Sequence, residues 1–474
     1  MSKQIDLKGS LNVFMNVQRG EWMKTSLLFS WLFLFICVYY VLRPIRRGLI
    51  LEGLGNDKMP FVYLGTAVVT GLVVWLYSRF THLPRKTLIG GIYGIFFVNL
   101  IAWWQVFHYE SAIASGLFWI WLDVFSIMGV TLFWMYANDT CDSLSAKRLF
   151  GIVAAGGGLG AVLGSSITAS LVKPLGATNM ILVAAGIVAV TLVIFLIMES
   201  VKQEQTVRRA AALEVDEQSM SQIGNVFSSI LKNRFLLFLT LLVCFERITP
   251  DLVQYLYQEV LHSMAHGSSE IAALDANLER WRGIFEFGVE MFLVSAILQR
   301  FGTKFALTSS AVVLLGSLLG FGVFANPFIV LGAFHTDEAI RHSWFKAAKE
   351  LTYTVTSRDV LYNVKPVIEM FFYRFSRGLA GLLIWGVNSV LGLGNAGLIG
   401  VGIVTAGAWA YCGWMLSAEY KRLESASAQE EFEPKPVAEQ PALALSGMTP
   451  KGEGDTGLVS GTLADESHKI GTPV

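Results

Sequence analysis

TSLLFSWLFLFICVYYVLRPIRR, residues 25–47, decides the fold class: no side chain from Thr25 to Leu42 is charged, and then Arg43, Arg46 and Arg47 follow almost together. A bilayer core about 30 Å thick takes about 20 apolar helical residues, and only a segment that satisfies its own backbone hydrogen bonds can cross it. A run this long and this clean reads as a membrane-spanning helix. Working outward, comparable runs fall near 59–78, 88–107, 117–136, 150–172 and 180–198, then 235–257, 284–299, 304–324, 327–349, 365–390 and 394–416. The expectation is an all-α polytopic membrane protein with 12 transmembrane helices in two six-helix bundles.

Composition agrees. Of 474 residues only 15% are charged and 54% are hydrophobic, whereas a soluble domain carries roughly 25% charge. Most of the surface must face lipid. Net charge is zero, so nothing in the total points to a nucleic-acid partner. Cys37, Cys141, Cys244 and Cys412 sit in or beside apolar runs without metal-ligand spacing and read as small buried hydrophobes. No cofactor motif stands out. Gly156-Gly157-Gly158-Leu159-Gly160 superficially resembles a dinucleotide loop, but no strand precedes it, and Gly156, Gly160 and Gly164 follow the small-xxx-small spacing of close helix packing. Gly392, Gly394, Gly397, Gly400 and Gly402 take the same reading. His335 and His342 are seven apart and lack partners, so no metal site is expected. With no Ser/His/Asp, metal-ligand or paired-acid constellation at membrane depth, the chain does not read as an enzyme.

A polar stretch at 199–234 separates residues 1–198 from 235–424, a six-plus-six plan that suits alternating access by rocking one half on the other. From 425 to 474 the chain turns to Ala, Ser, Glu, Pro and Gly with one aromatic, Phe432, and a disordered cytoplasmic tail is expected. The first 24 residues lack a cleavage site behind a short apolar segment, so the first run is expected to stay as an anchor. Basic residues cluster in alternate loops, at Arg79, Arg85 and Lys86, at Lys147 and Arg148, at Arg300 and Lys304, at Arg358 and Lys365, and at Lys421 and Arg422, while 108–116 has none. By the positive-inside rule both termini are cytoplasmic.

Charges that break this pattern are the candidate site. Tyr39, Arg43, Arg46 and Arg47 share one face at the end of the first run. They either snorkel to headgroups and pair with Glu52 and Asp57, or bind an anion in the pathway. Glu369, Tyr373 and Arg377, with Arg374 adjacent, recur every four residues near the chain's end and form either a transport site or an intrahelical network. Arginine suits phosphate or carboxylate because its planar fork donates two parallel hydrogen bonds and never deprotonates. Arg247, Asp251, Gln254 and Gln258 form a stripe interrupted by Pro250, which should kink or break its helix; either a site or a structural Arg247–Asp251 gate follows. Asp123, mid-run, would bind a cation, relay a proton or balance arginines. Asp139 and Asp142 read as partners of Lys147 and Arg148. Tyr39, Tyr40, Trp134 and Tyr373 are aromatic candidates for stacking on a base, with ordinary packing the alternative.

Four stretches carry a family likeness: Tyr39 to Arg47; Phe133-Trp134-Met135-Tyr136-Ala137-Asn138-Asp139; Lys349-Glu350-Leu351-Thr352-Tyr353; and Tyr373 to Gly381. In order and spacing the chain resembles the ATP/ADP translocase family, nucleotide transporters of plastids and intracellular bacteria within the broader major facilitator fold. The resemblance implies that Arg46 and Arg377 stand where the family has lysines important for transport, that Asp139 replaces a glutamate, and that Lys349 to Tyr353 is like the family's Lys-Glu-Met-Ala-Tyr. Gln254 stands where the family has an acid, a lost negative charge.

The expected function is secondary active transport of an anionic small molecule, a nucleotide by the resemblance, through Arg43, Arg46, Arg377, Arg374, Tyr39 and Gln254. Asp123, Asp139, Asp251, Lys349, Glu350 and Glu369 would couple or gate. No Walker motif appears, so ATP would be cargo and not fuel. The alternatives are a proton-coupled transporter of an unrelated solute and a transport-inactive scaffold. The expected setting is the lipid bilayer of a bacterial inner membrane, as a monomer.

Overall fold

The computed structural model describes residues 17, 20–79, 84–109, 111–141, 143–202, 228–356, 360, 364, 365 and 367–432. Most of the 199–234 connection, Asp142, and the chain beyond 432 lie outside the described residues. Among those described there is helix and no strand. The long helices are α1 (Trp22–Gly53), α2 (Met59–Arg79), α3 (Arg85–Val106), α4 (Ala112–Thr140), α5 (Ser143–Leu175) and α6 (Ala177–Lys202) in the first half. The second half has α7 (Arg234–Met264), α8 (Ser268–Phe292), α9 (Val294–Phe324), α10 (Pro327–Ile340), the short α11 (Lys346–Thr352), α12 (Tyr373–Trp385) and α13 (Gly394–Phe432). Seven of them, α1, α3, α4, α5, α6, α9 and α13, are long and apolar enough to cross a membrane by length and composition among the described residues.

Among the others, α7 and α8 are less apolar for a visible reason, whereas α10 and α12 are short, 14 and 13 residues. α7, α8 and α10 bury charges, among them Asp251, Asp275, Glu279, Arg282, Asp337, Glu338 and Arg341. Such charges lower the hydropathy of a window, and each partner offsets part of the desolvation that burial costs the other.

α1 is the central strut. From Tyr40 to Gly48 every residue is buried, arginines included. It packs on α4, α5, α6 and α8, and the α5 glycines explain how close it comes. A Cβ on Gly160 would collide with the Phe33 carbonyl, and one on Gly164 with the Cys37 carbonyl. These glycines thus let two backbones meet, as their spacing suggested. The later glycines divide. Gly402 packs on Leu318, but Gly392 and Gly394 have positive φ, 64° and 56°, with open space around their Cβ positions, and make the turn before α13.

Boundaries and breaks differ from the sequence reading in several places. α1 runs on to Gly53, so its arginines lie inside the helix and not at its end. α8 begins at Ser268, not 284, because its charges belong to a buried stripe. α7 continues through Pro250 with helical dihedrals; irregular backbone occurs instead at Gly302 in α9 (φ 74°, ψ 177°) and at π-helical turns Arg341–Phe345, Val367–Phe372 and Gly386–Val390. α13 also extends past 425 to Phe432.

Two apolar clusters result. One draws on residues 28–198 with Ala272 and Ala273, and the other on 230–420 with Ile50, Leu51, Met59, Val62, Tyr63 and Trp119. The halves touch where α5 and α1 meet α8 and where α2 meets α12.

Candidate functional site

Between these contacts lies a cavity of about 660 Å³, inside the roughly 300–1,000 Å³ range of small-molecule sites. Each wall is a helical stripe. α1 supplies Tyr39, Arg43 and Arg46; α4 supplies Asp123; α7 supplies Arg247, Asp251 and Gln254; α12 supplies Tyr373, Arg374 and Arg377. On the α10 side Glu338, Arg341, His342 and Lys346 line the cavity, across a π turn at Arg341–Phe345 that inserts one extra residue.

At mid-depth Asp123 sits between two guanidiniums, 2.7 Å from Arg46 and 2.8 Å from Arg377. The Arg46 guanidinium lies 4.1 Å from the Trp119 ring centre and that of Arg377 4.9 Å from the Tyr63 ring. Those aromatic faces shelter the arginines from behind by cation–π contact and leave the cavity side as their polar outlet. Asp251 grips Arg247 with two bonds, 2.9 and 2.7 Å, and Arg247 donates to the Tyr373 hydroxyl at 3.0 Å.

Beside this lies a denser network that joins the halves. Arg43 meets Glu338, and Glu279 at 3.3 Å. Arg47, with a fully buried side chain, meets Asp275 at 2.6 Å and Glu279 at 2.8 Å. Arg282 binds Glu279 at 2.7 Å, Glu286 at 2.6 Å and the Tyr40 hydroxyl at 2.9 Å. Tyr257 donates to Asp275 at 2.6 Å and lies 3.1 Å from the His335 ring. Glu279, His335 and Glu338 bring their ligand atoms within 4.8 Å of one another. Both carboxylates already face guanidiniums, so a metal cation there would meet like charge at short range.

The cavity itself is unbalanced. Seven cationic side chains, Arg43, Arg46, Arg247, Arg341, Lys346, Arg374 and Arg377, line it against four carboxylates, Asp123, Asp251, Glu338 and Glu369. Arg341 is held by Asp337 at 2.8 Å. Arg374 and Lys346, by contrast, have no ion-pair partner among the described residues. An annex of about 250 Å³ shares Arg341, His342, Lys346, Glu369 and Tyr373 with the cavity and adds Lys349, Glu350 and Glu246. There Lys349 pairs with Glu246 at 2.9 Å and Glu350 with Lys365 at 2.7 Å.

Of the residues singled out in the sequence, Tyr39, Arg43, Arg46, Asp123, Asp251, Gln254, Glu369, Arg374 and Arg377 thus line one cavity, and Lys349 and Glu350 line its annex. Asp139 is exposed at the end of α4, outside both linings, and Trp134 packs on Phe133 and Phe150. The snorkelling alternative is overturned: Arg43, Arg46 and Arg47 are 5%, 4% and 0% exposed and paired inside the protein, not with Glu52 or Asp57. So is the intrahelical network, since Arg377 reaches across to Asp123 and Tyr373 serves Arg247. The reading overlooked Asp275, Glu279, Arg282, Glu338 and Arg341. A signal existed, because Asp275, Glu279, Arg282 and Glu286 repeat at helical spacing along α8.

The TLC ATP/ADP transporter family matches residues 115–335. ADP,ATP carrier protein 1 of Chlamydia trachomatis is 21% identical over 429 residues, covering 76% of this chain and 81% of that protein, and its Chlamydia muridarum counterpart matches equally well. Among solved structures, a POT family transporter in complex with a thioalcohol-conjugated peptide superposes with a TM-score of 0.60 at 13% identity over 84% of this chain and 96% of that one. A mutant of the nucleoside transporter NupG gives 0.56 at 14% identity over 84% and 99%. Identities this low speak for the fold alone. The resemblance seen in the sequence thus has a counterpart in these comparisons: the chain is similar to the ATP/ADP transporters over residues 115–335, and its all-helical fold is similar to that of the solved transporters.

Proposed function

We propose that this protein is a secondary transporter of nucleotide-type polyanions, working by alternating access around the cation-rich cavity. The observation that carries the reading is the charge excess there, above all the half-buried Arg374, which lines the cavity without an ion-pair partner among the described residues. Unpaired cations inside a membrane protein are costly and are retained where a mobile anion completes them. The ADP,ATP carrier relatives supply the nature of the anion, and Tyr39 and Tyr373 offer aromatic faces in the same cavity for a base.

The architecture proposed with it has 12 membrane crossings, six in residues 1–198 and six in 235–424, with α10 and α11 forming one crossing bent at the π turn. Both termini would lie on the cytoplasmic side of a bacterial inner membrane, and the working unit would be a monomer. Asp251, Gln254, Glu369 and the Lys349–Glu246 pair would adjust the cavity's charge; Asp139, away from it, would act only at the end of α4.

A thermal-shift titration of the purified protein with ADP, ATP, inorganic phosphate and uncharged nucleosides tests this. The reading expects stabilisation by the nucleotides and little by nucleosides. Uptake of labelled nucleotide by vesicles holding Arg46→Ala or Arg377→Ala protein should then fall to background; uptake at the wild-type rate in both would refute the site.

A further inference from the structure

Asp123 differs from the other cavity carboxylates in being shared between the halves. One oxygen meets Arg46 of α1 at 2.7 Å and the other meets Arg377 of α12 at 2.8 Å. Its remaining polar neighbour, the Thr66 hydroxyl, is 3.5 Å away, at the limit of a hydrogen bond. The residue is 6% exposed and lines the cavity. A carboxylate thus occupies the gap between two guanidiniums that a phosphate would also fill, since both anions suit the same forked donors.

We infer that Asp123 is a built-in counter-anion which cargo displaces from Arg377, and that this displacement frees the two halves to move; the inference rests on the anion reading above. In the empty cavity the Asp123–Arg377 bridge ties α4 to α12. Other links also join the halves, Arg43–Glu279 beside Arg46 at the same cavity, and Arg47–Asp275 and Asn56–Glu259 toward the end where α1 terminates. Pulling the bridge apart without cargo would leave the Arg377 guanidinium with only the looser Asp251 of α7, 4.0 Å away and already held by Arg247, in place of a direct partner. An empty carrier therefore stays where it is. Cargo phosphate gives Arg377 a counter-charge that travels with it, while Asp123 keeps Arg46. A ligand shifts a conformational equilibrium only by its differential affinity for the two states, and here the difference lies in whether Arg377 must part from Asp123 alone or in exchange. Asp123 is on this view a positioning residue that makes movement conditional on cargo.

The test uses the full chain in vesicles, with labelled ADP outside and either ADP or buffer inside. Wild-type uptake should be about tenfold or more faster into ADP-loaded vesicles, a population effect of the size a lost counter-ion produces. Asp123→Asn should take up ADP equally into loaded and empty vesicles and bind it several-fold more tightly, because the competitor is gone. Asp123→Glu should restore the dependence on internal ADP. The inference is overturned if Asp123→Asn binds ADP with unchanged affinity, or still needs ADP inside. Should that variant fail to fold, Asp123→Ser removes the same charge and leaves Arg377 in place; uptake by it that still depends on internal ADP overturns the inference equally. Wild-type protein that binds no phosphorylated anion would instead refute the underlying anion reading.

Discussion

Arg47 shows how much of this protein's logic is held by single side chains. It is buried completely between Asp275 and Glu279, with the Tyr257 and Phe334 rings 5.3 and 5.0 Å from its guanidinium. Removing one partner of such a network leaves uncompensated buried charge, so Arg47→Ala should cost about 3–5 kcal/mol, read as a lower unfolding temperature in detergent. Arg374 and Lys346 should behave oppositely. Neither forms an ion pair among the described residues, so Arg374→Ala and Lys346→Ala should leave folding intact while weakening ADP binding by roughly 10- to 100-fold each, the worth of one charged hydrogen bond. Equilibrium titration beside a melting curve separates the two effects. The arginines of α1 were legible in the sequence because charge is rare in such a run. Their acids were not, because Glu279 and Glu338 lie more than 200 residues away in the chain and only folding brings them close.

At the scale of elements, apolar length located the helices and charge obscured some of their limits. α8 read as beginning late because Asp275, Glu279 and Arg282 look like a loop until their shared face is seen buried against α1. The π turn at Arg341–Phe345 has no sequence signature, yet it lies in the cavity wall between Glu338 and Lys346. Pro250, the expected break, sits within a continuous α7. The α5 glycines were legible, since spacing alone implies a face on which another backbone can rest. Gly160→Leu and Gly164→Leu should force α1 and α5 apart and cost several kcal/mol, in the manner of overpacked cores. Gly186→Ala, with open space around its Cβ position, is the matched control. A comparison of melting temperatures that found all three alike would remove this account of the α1–α5 interface.

For the whole molecule, the two halves are joined by charge as well as by apolar contact, and the joints surround the cavity. That placement lets a charged cargo act on the joints directly. The same cations that would bind it also hold acids of the opposite half, so binding and movement draw on one set of interactions. Saturating ADP should accordingly stabilise the folded protein by about 2.7 kcal/mol at one hundred times its dissociation constant, a gain that Arg377→Ala should largely forfeit at the same ADP concentration. The most direct measurement of the central claim is a calorimetric titration of ADP into purified wild-type and Arg374→Ala protein. The account predicts saturable binding to the wild type, absent for adenosine, and weakened at least tenfold, about 1.4 kcal/mol, in the variant. Equal affinity in both proteins, or no binding of ADP or ATP to the wild type, would contradict it.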